Sequence, residues 1–193
     1  MDKQSLLILR GGSGDLLDER NAEPARMMTF DLKPLSEEAV PAALERAMRY
    51  RLLNEPGEAE SICHDVLRAD SENQKALVIL LLALTDQFEK PSAVSAMKAQ
   101  EILPRLRDEY ERAYYAGIIY ERRAKAQLAH GTPGCGFNAY EGLCEAMKWY
   151  EKAEALRTPG NDEALLRWNA CARIIMQNKL HPRLEERNEL PLE

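Results

Sequence analysis

His130, Cys135 and Cys144 are the residues of this chain whose types and spacing come nearest to reactive chemistry. Cys135 sits in Gly131-Thr132-Pro133-Gly134-Cys135-Gly136, the clearest loop in the sequence, with His130 just before it. A thiol that gives its proton to a neighbouring imidazole becomes a nucleophile, and the same side chains are common zinc ligands. The spacing matches no zinc pattern, however, and no fourth ligand is evident. Cys63 and Cys171 lie far off, and no two cysteines form a Cys-x-x-Cys pair. In a reducing compartment such cysteines read as free thiols, mostly buried as small apolar residues. Loop and core residues are therefore expected here, and a thiol-dependent enzyme or metal site around His130 and Cys135 stands as an alternative.

The other chemical motifs fail on their own terms. Gly11-Gly12-Ser13-Gly14 resembles a phosphate cradle in composition, but Gly14 is followed by Asp15 rather than by Lys and a hydroxyl. The carboxylate would repel a phosphate, and no βαβ alternation follows. His64 follows Cys63 directly, so a helix points the two apart. His181 lies beside the helix-stopping Pro182. No Gly-x-Ser-x-Gly or His-Glu-x-x-His constellation occurs. The abundant acids read as solvated helix faces. No catalytic residue, no metal and no cofactor is expected.

The elements that must position these residues are helices. The chain has 193 residues, 45% apolar and 30% charged. That is enough for one domain with a substantial core. Strong helix formers dominate and strand-forming residues are sparse. The net charge of −6 argues against a nucleic-acid partner. The basic clusters Arg46-Arg49-Arg51 and Arg122-Arg123-Lys125 are interleaved with Glu45, Glu55 and Glu121. The apolar runs Leu6–Leu9 and Ala76–Leu84 are too short for a membrane span of about 20 residues, and the first is too short for a signal peptide. A cytoplasmic protein with no membrane partner is expected.

Caps and breakers predict helices from Ser36 to about Asn54, Glu58 to Ala69, Gln74 to Phe88, Ser92 to Leu103, Asp108 to His130, Asn138 to Leu156, and Asp162 to Lys179. Glu55-Pro56-Gly57 and Thr158-Pro159-Gly160-Asn161 are read as stops. Residues 1–35 form an extended or partly disordered arm with the apolar patch Met27-Met28-Thr29-Phe30. The helical domain is expected to cover 36–180, and 181–193 to be a polar tail.

Small residues recur along these helices. Ala47 with Tyr50 is followed by Ala59, Cys63 and Val66. One period of about 34 residues later come Leu77, Leu80, Leu81 and Leu84. Ala113, Ala116, Gly117 and Tyr120 come next, and then Ala146, Trp149, Tyr150, Ala153 and Leu156 before Pro159. In this pattern residues 39–178 resemble the tetratricopeptide repeat family, with an insertion around 121–142. The resemblance implies an all-α fold, a right-handed solenoid of about three antiparallel helix hairpins plus a C-terminal capping helix in which Trp168 and Ile175 face inward. It also implies a non-catalytic scaffold that binds a protein or peptide in a concave groove. Carried onto this chain, the groove positions are Leu44, Met48, Arg51 and Leu52, then Lys75, Val78, Leu82 and Asp86, then Tyr114, Ile118, Glu121 and Arg122. Family members that grip a chaperone tail use lysines and asparagines at such positions, whereas here Leu44, Met48, Val78 and Leu82 stand instead. The implied groove is largely apolar and suits an amphipathic helix or extended apolar segment. A homo-oligomer whose groove is filled by its own N-terminal arm is the alternative.

Overall fold

The computed structural model describes residues 30–88 and 93–183. The glycine run at 11–14, Met27, Met28 and residues 184–193 lie outside them, and so do most of the expected arm and tail. Among the described residues there are seven α-helices and no strand. They are α1 (Val40–Leu52), α2 (Pro56–Ala69), α3 (Gln74–Thr85), α4 (Ala93–Ile102), α5 (Glu109–His130), α6 (Cys135–Leu156) and α7 (Glu163–Gln177). Single 3-10 turns, Glu37–Ala39 and Leu103–Arg105, precede α1 and follow α4.

Local chemistry explains the ends. Asn73 accepts from the Ala76 N–H at 3.0 Å and starts α3. Asp108 accepts from the N–H groups of Tyr110 and Glu111 and starts α5. Both side chains satisfy amides that a helix start leaves orphaned. Ser36, the expected cap of the first helix, makes no such side-chain bond and instead leads into the 3-10 turn. α5 stops at Gly131, whose φ of 62° is the left-handed conformation glycine adopts without a Cβ penalty.

Three boundaries differ from expectation. Pro56 and Gly57 open α2 rather than separating it from α1. Proline is at ease in the first helical turn, where its missing N–H has no partner to lose. The reversal falls one step earlier, on Asn54 at φ 61°. α3 ends at Thr85, before Phe88: beyond it the backbone tightens, Gln87 N–H donating to Leu84 O and Phe88 N–H to Thr85 O, while the Gln87 side-chain amide takes the Ala83 carbonyl. α6 begins at Cys135, inside the expected loop, so the turn after α5 covers only residues 131–134.

Each helix packs on its neighbour in sequence, and α1 also meets α3, as α3 meets α5. α3 is apolar all round and correspondingly enclosed, with Leu77, Leu80, Leu81 and Leu84 buried. The buried residues fall into two clusters instead of one. The first joins Leu44, Cys63, Val66, Leu77, Leu81, Ile102 and Leu106 with Ile119 of α5. The second joins Ile118 of α5 with Leu143, Tyr150, Ala153, Ala164 and Cys171. Adjacent residues of α5 thus serve opposite clusters. Trp168 and Ile175 of α7 are half-buried against the second.

The small residues sit where helices approach most closely. Ala47, Ala59, Ala113, Ala116, Gly117, Ala146 and Ala153 are all buried. A Cβ built on Gly117 would lie 2.5 Å from Tyr150 Cε1, so the α5–α6 contact depends on its absence.

Candidate functional site

Along one face of α1, Leu44, Met48 and Leu52 succeed each other at one-turn intervals, with Arg51 beside them. Two adjoining clefts run along this face and share Met48. The first, of about 660 Å³, is lined by Val40, Pro41, Leu44, Glu45 and Met48 of α1, by Asn73, Gln74, Lys75, Val78 and Ile79, and by Glu111 of α5. The second, of about 360 Å³, is lined by Met48, Arg51 and Leu52, by Asn54, Thr85, Asp86 and Phe88, and by Arg122, Lys125 and Ala126 of α5. Of the groove positions expected from sequence, Leu44, Met48, Arg51, Leu52, Lys75, Val78, Asp86 and Arg122 line one or both. Met48 and Leu52 are the open apolar side chains among them, 43% and 85% exposed.

The other four are placed differently. Leu82 and Tyr114 are half-buried against the second core cluster and line neither cleft. Tyr114 is packed among Tyr110, Tyr115 and Tyr150, with ring centroids 5.8, 5.3 and 6.0 Å away. Ile118 and Glu121 are buried and are not surface positions of this chain. The expectation that both face a groove is corrected by α6 and α7, which supply Tyr150 and Arg167 to that side of α5. Conversely, Lys125, Phe88, Glu45 and Glu111 line the clefts without being among the expected positions. Lys125 is legible as the next turn of α5 after Arg122 once the helix is followed past the length of one repeat.

Asp86, just beyond the end of α3, ties the three walls of the second cleft together. Its Oδ2 accepts from Arg51 Nε of α1 at 2.8 Å, and its Oδ1 accepts from Arg122 Nη1 of α5. Arg122 Nη1 also donates to Thr85 Oγ1 at 2.7 Å and to Leu82 O at 3.3 Å. These charge-assisted bonds satisfy the end of α3 and fix the spacing of α1 and α5.

A second junction, with its carboxylate fully buried, sits at Glu121 of α5, the residue just before Arg122. Glu121 accepts from the Tyr150 hydroxyl of α6 at 2.6 Å, from Lys125 Nζ, and from Arg167 Nη1 of α7 at 3.3 Å. Burial alone would raise its pKa. The bonds from Lys125 and Tyr150 and the charges of Lys125 and Arg167 outweigh it, and the carboxyl stays below its ordinary value. Tyr150 is pushed strongly upward by its own burial and then by the Glu121 charge, so it remains a neutral donor.

The cysteines and histidines are dispersed. Cys63 and Cys171 are buried in different clusters, Cys135 and Cys144 are partly exposed on α6, and all are free thiols. Among the described residues no three His, Cys, Asp or Glu side chains converge as a metal-binding group, so His130, Cys135 and Cys144 do not form one. His64 is exposed on α2, 3.7 Å from Glu60, while Cys63 faces the core. Burial pushes the Cys63 and Cys171 thiols to about 12. Because the thiolate is the reactive species, brief iodoacetamide treatment near neutral pH is expected to alkylate Cys135 and Cys144 and to spare Cys63 and Cys171 until denaturant is added. Peptide mass mapping reads the four sites separately, and early labelling of Cys63 would contradict the burial.

Among the described residues, no helix is long and apolar enough to cross a membrane. No family model, no curated protein and no solved structure matches the chain.

Proposed function

We propose that this protein is a non-catalytic interaction module, a stack of helix hairpins of tetratricopeptide type that holds a protein or peptide segment along α1. The observation that carries the reading is the coincidence of eight carried-over groove positions with two adjoining clefts. The packing order supports it. Contacts of α1 with α3 and of α3 with α5 are those of successive first helices in stacked hairpins. Two core clusters meeting at α5 fit a series of units better than a bundle around one centre. In this reading the long α5 and α6 are one hairpin extended at its tip, and α7 closes the stack. The cytoplasm is the expected location, and neither nucleic acid nor a membrane is among the proposed partners.

Met48 and Leu52 offer the cleanest test, because they are exposed and their replacement leaves the core intact. A Met48→Glu, Leu52→Glu variant is expected to keep its stability within about 0.5 kcal/mol per site and to lose the partner. Affinity capture from the native cell extract, with wild type and variant compared by quantitative mass spectrometry, reads the outcome. If the folded variant retains the same proteins at the same levels, the groove is not the binding surface.

A further inference from the structure

We propose that the segment held along α1 is amphipathic, with apolar side chains at one end seated beside Leu44, Met48 and Val78 and a cluster of carboxylates at the other beside Arg51, Arg122 and Lys125. The inference rests on the groove reading above and adds the charge of the occupant and where along α1 its acids lie. It comes from an asymmetry between the clefts. The first presents Glu45 and Glu111 against a single cation, Lys75. The second presents Arg51, Arg122 and Lys125 against Asp86 in its lining and the buried Glu121 that pairs with Lys125, which leaves it net positive. This basic end belongs to a chain whose net charge is −6, so the attraction to acids is local to the cleft.

The cations have capacity left. Asp86 occupies Nε of Arg51 and Nη1 of Arg122. Among the hydrogen bonds of the described residues, Arg51 Nη1 and Nη2 and Arg122 Nη2 take no part. A guanidinium offers five donors in a planar fork, so an incoming carboxylate can be bound without releasing Asp86. Lys125, whose Nζ is already paired with the buried Glu121 carboxylate, keeps a side chain 44% exposed and adds a third cation one turn further along α5. The carbonyl of Leu82, which would repel an anion at the end of α3, is already covered by Arg122 and Thr85. Met48 lines both clefts, so it lies where an apolar side chain next to the acids would land.

A phage-displayed library of random dodecapeptides, selected on the full-length protein, tests this without the partner having been identified. Selected peptides are expected to carry Leu, Ile, Met or aromatic residues at one end and Asp or Glu at the other. Their affinity, measured on synthetic copies by fluorescence anisotropy, should fall as ionic strength rises. It should weaken about tenfold or more in Lys125→Gln and in Arg51→Gln, each first checked for native helicity by circular dichroism. Arg51→Gln disturbs the Asp86 junction and Lys125→Gln the Glu121 junction, so the salt dependence of the wild-type protein keeps the test open if either variant unfolds. Neutral or basic peptides lost in Met48→Glu, Leu52→Glu but indifferent to Lys125→Gln would overturn the acidic inference and leave the groove reading standing. Selected peptides indifferent to both variants, or no enrichment at all, would overturn the acidic inference together with the groove as a peptide site.

Discussion

Replacing Glu121 with alanine is expected to lower the folding stability by roughly 3 kcal/mol, the largest effect of any single polar side chain among the described residues. The carboxylate is fully buried and joins three helices, accepting from Lys125 on its own helix, Tyr150 on α6 and Arg167 on α7. Its loss leaves the buried Tyr150 hydroxyl without its acceptor and opens a void beside it. Lys125 and Arg167 remain partly exposed and can turn to water, which keeps the cost near the low end of that for a broken buried pair. The pH dependence follows from the same contacts. A carboxylate whose folded pKa is depressed contributes stability that is fully present above its unfolded value and is lost as pH falls through the folded value. The wild-type advantage over Glu121→Gln should therefore be greatest near neutrality and shrink below about pH 4.5. Urea melts followed by circular dichroism at stepped pH check this, and an alanine variant within about 1 kcal/mol of wild type would remove Glu121 from its assigned role.

Gly117→Ala should be nearly as damaging, against the usual gain of about 1 kcal/mol for replacing a helical glycine. The added carbon would stand 2.5 to 2.9 Å from three atoms of the Tyr150 ring. That ring is fully buried and held by Glu121, so it has nowhere to swing. Overpacking of this kind costs about 1–3 kcal/mol, and a net loss of about 2 kcal/mol is expected after the propensity gain. The decisive measurement is a double-mutant cycle with Tyr150→Leu. In that background the clash is gone, and Gly117→Ala should become neutral or stabilising. A constant penalty in both backgrounds would mean that the ring is not what excludes the methyl group.

Why the sequence disclosed some of this and hid the rest can be followed residue by residue. Asn73 and Asp108 are short polar side chains just before apolar-periodic runs, and both prove to be caps. Gly117 and the recurring alanines stand out by size alone, and all are buried at helix contacts. The α1 wall of the clefts was legible because, among the described residues, α1 is the first α-helix and leaves Met48 and Leu52 exposed. The α5 part was half hidden. Glu121 with Lys125 four residues on looks in sequence like an ordinary solvent-facing ion pair. Only Tyr150, 29 residues away, and Arg167, 46 residues away, make it an interior charge. Pro56 misled for a different reason, since a proline marks a helix start as readily as a stop and only the backbone reversal at Asn54 decides between them.

The assignment of Ile118 and Ile119 of α5 to different core clusters has a consequence for how the molecule can be divided. A party wall shared by two rooms cannot be assigned to either. A fragment ending before α5 would bare Leu106 and Ile102, and one beginning after it would bare Tyr150 and Leu143. Each half alone would leave these side chains facing water, so the two clusters are expected to unfold together. Rearrangements that spare α5, such as an insertion at the short turn 131–134, leave that unity intact.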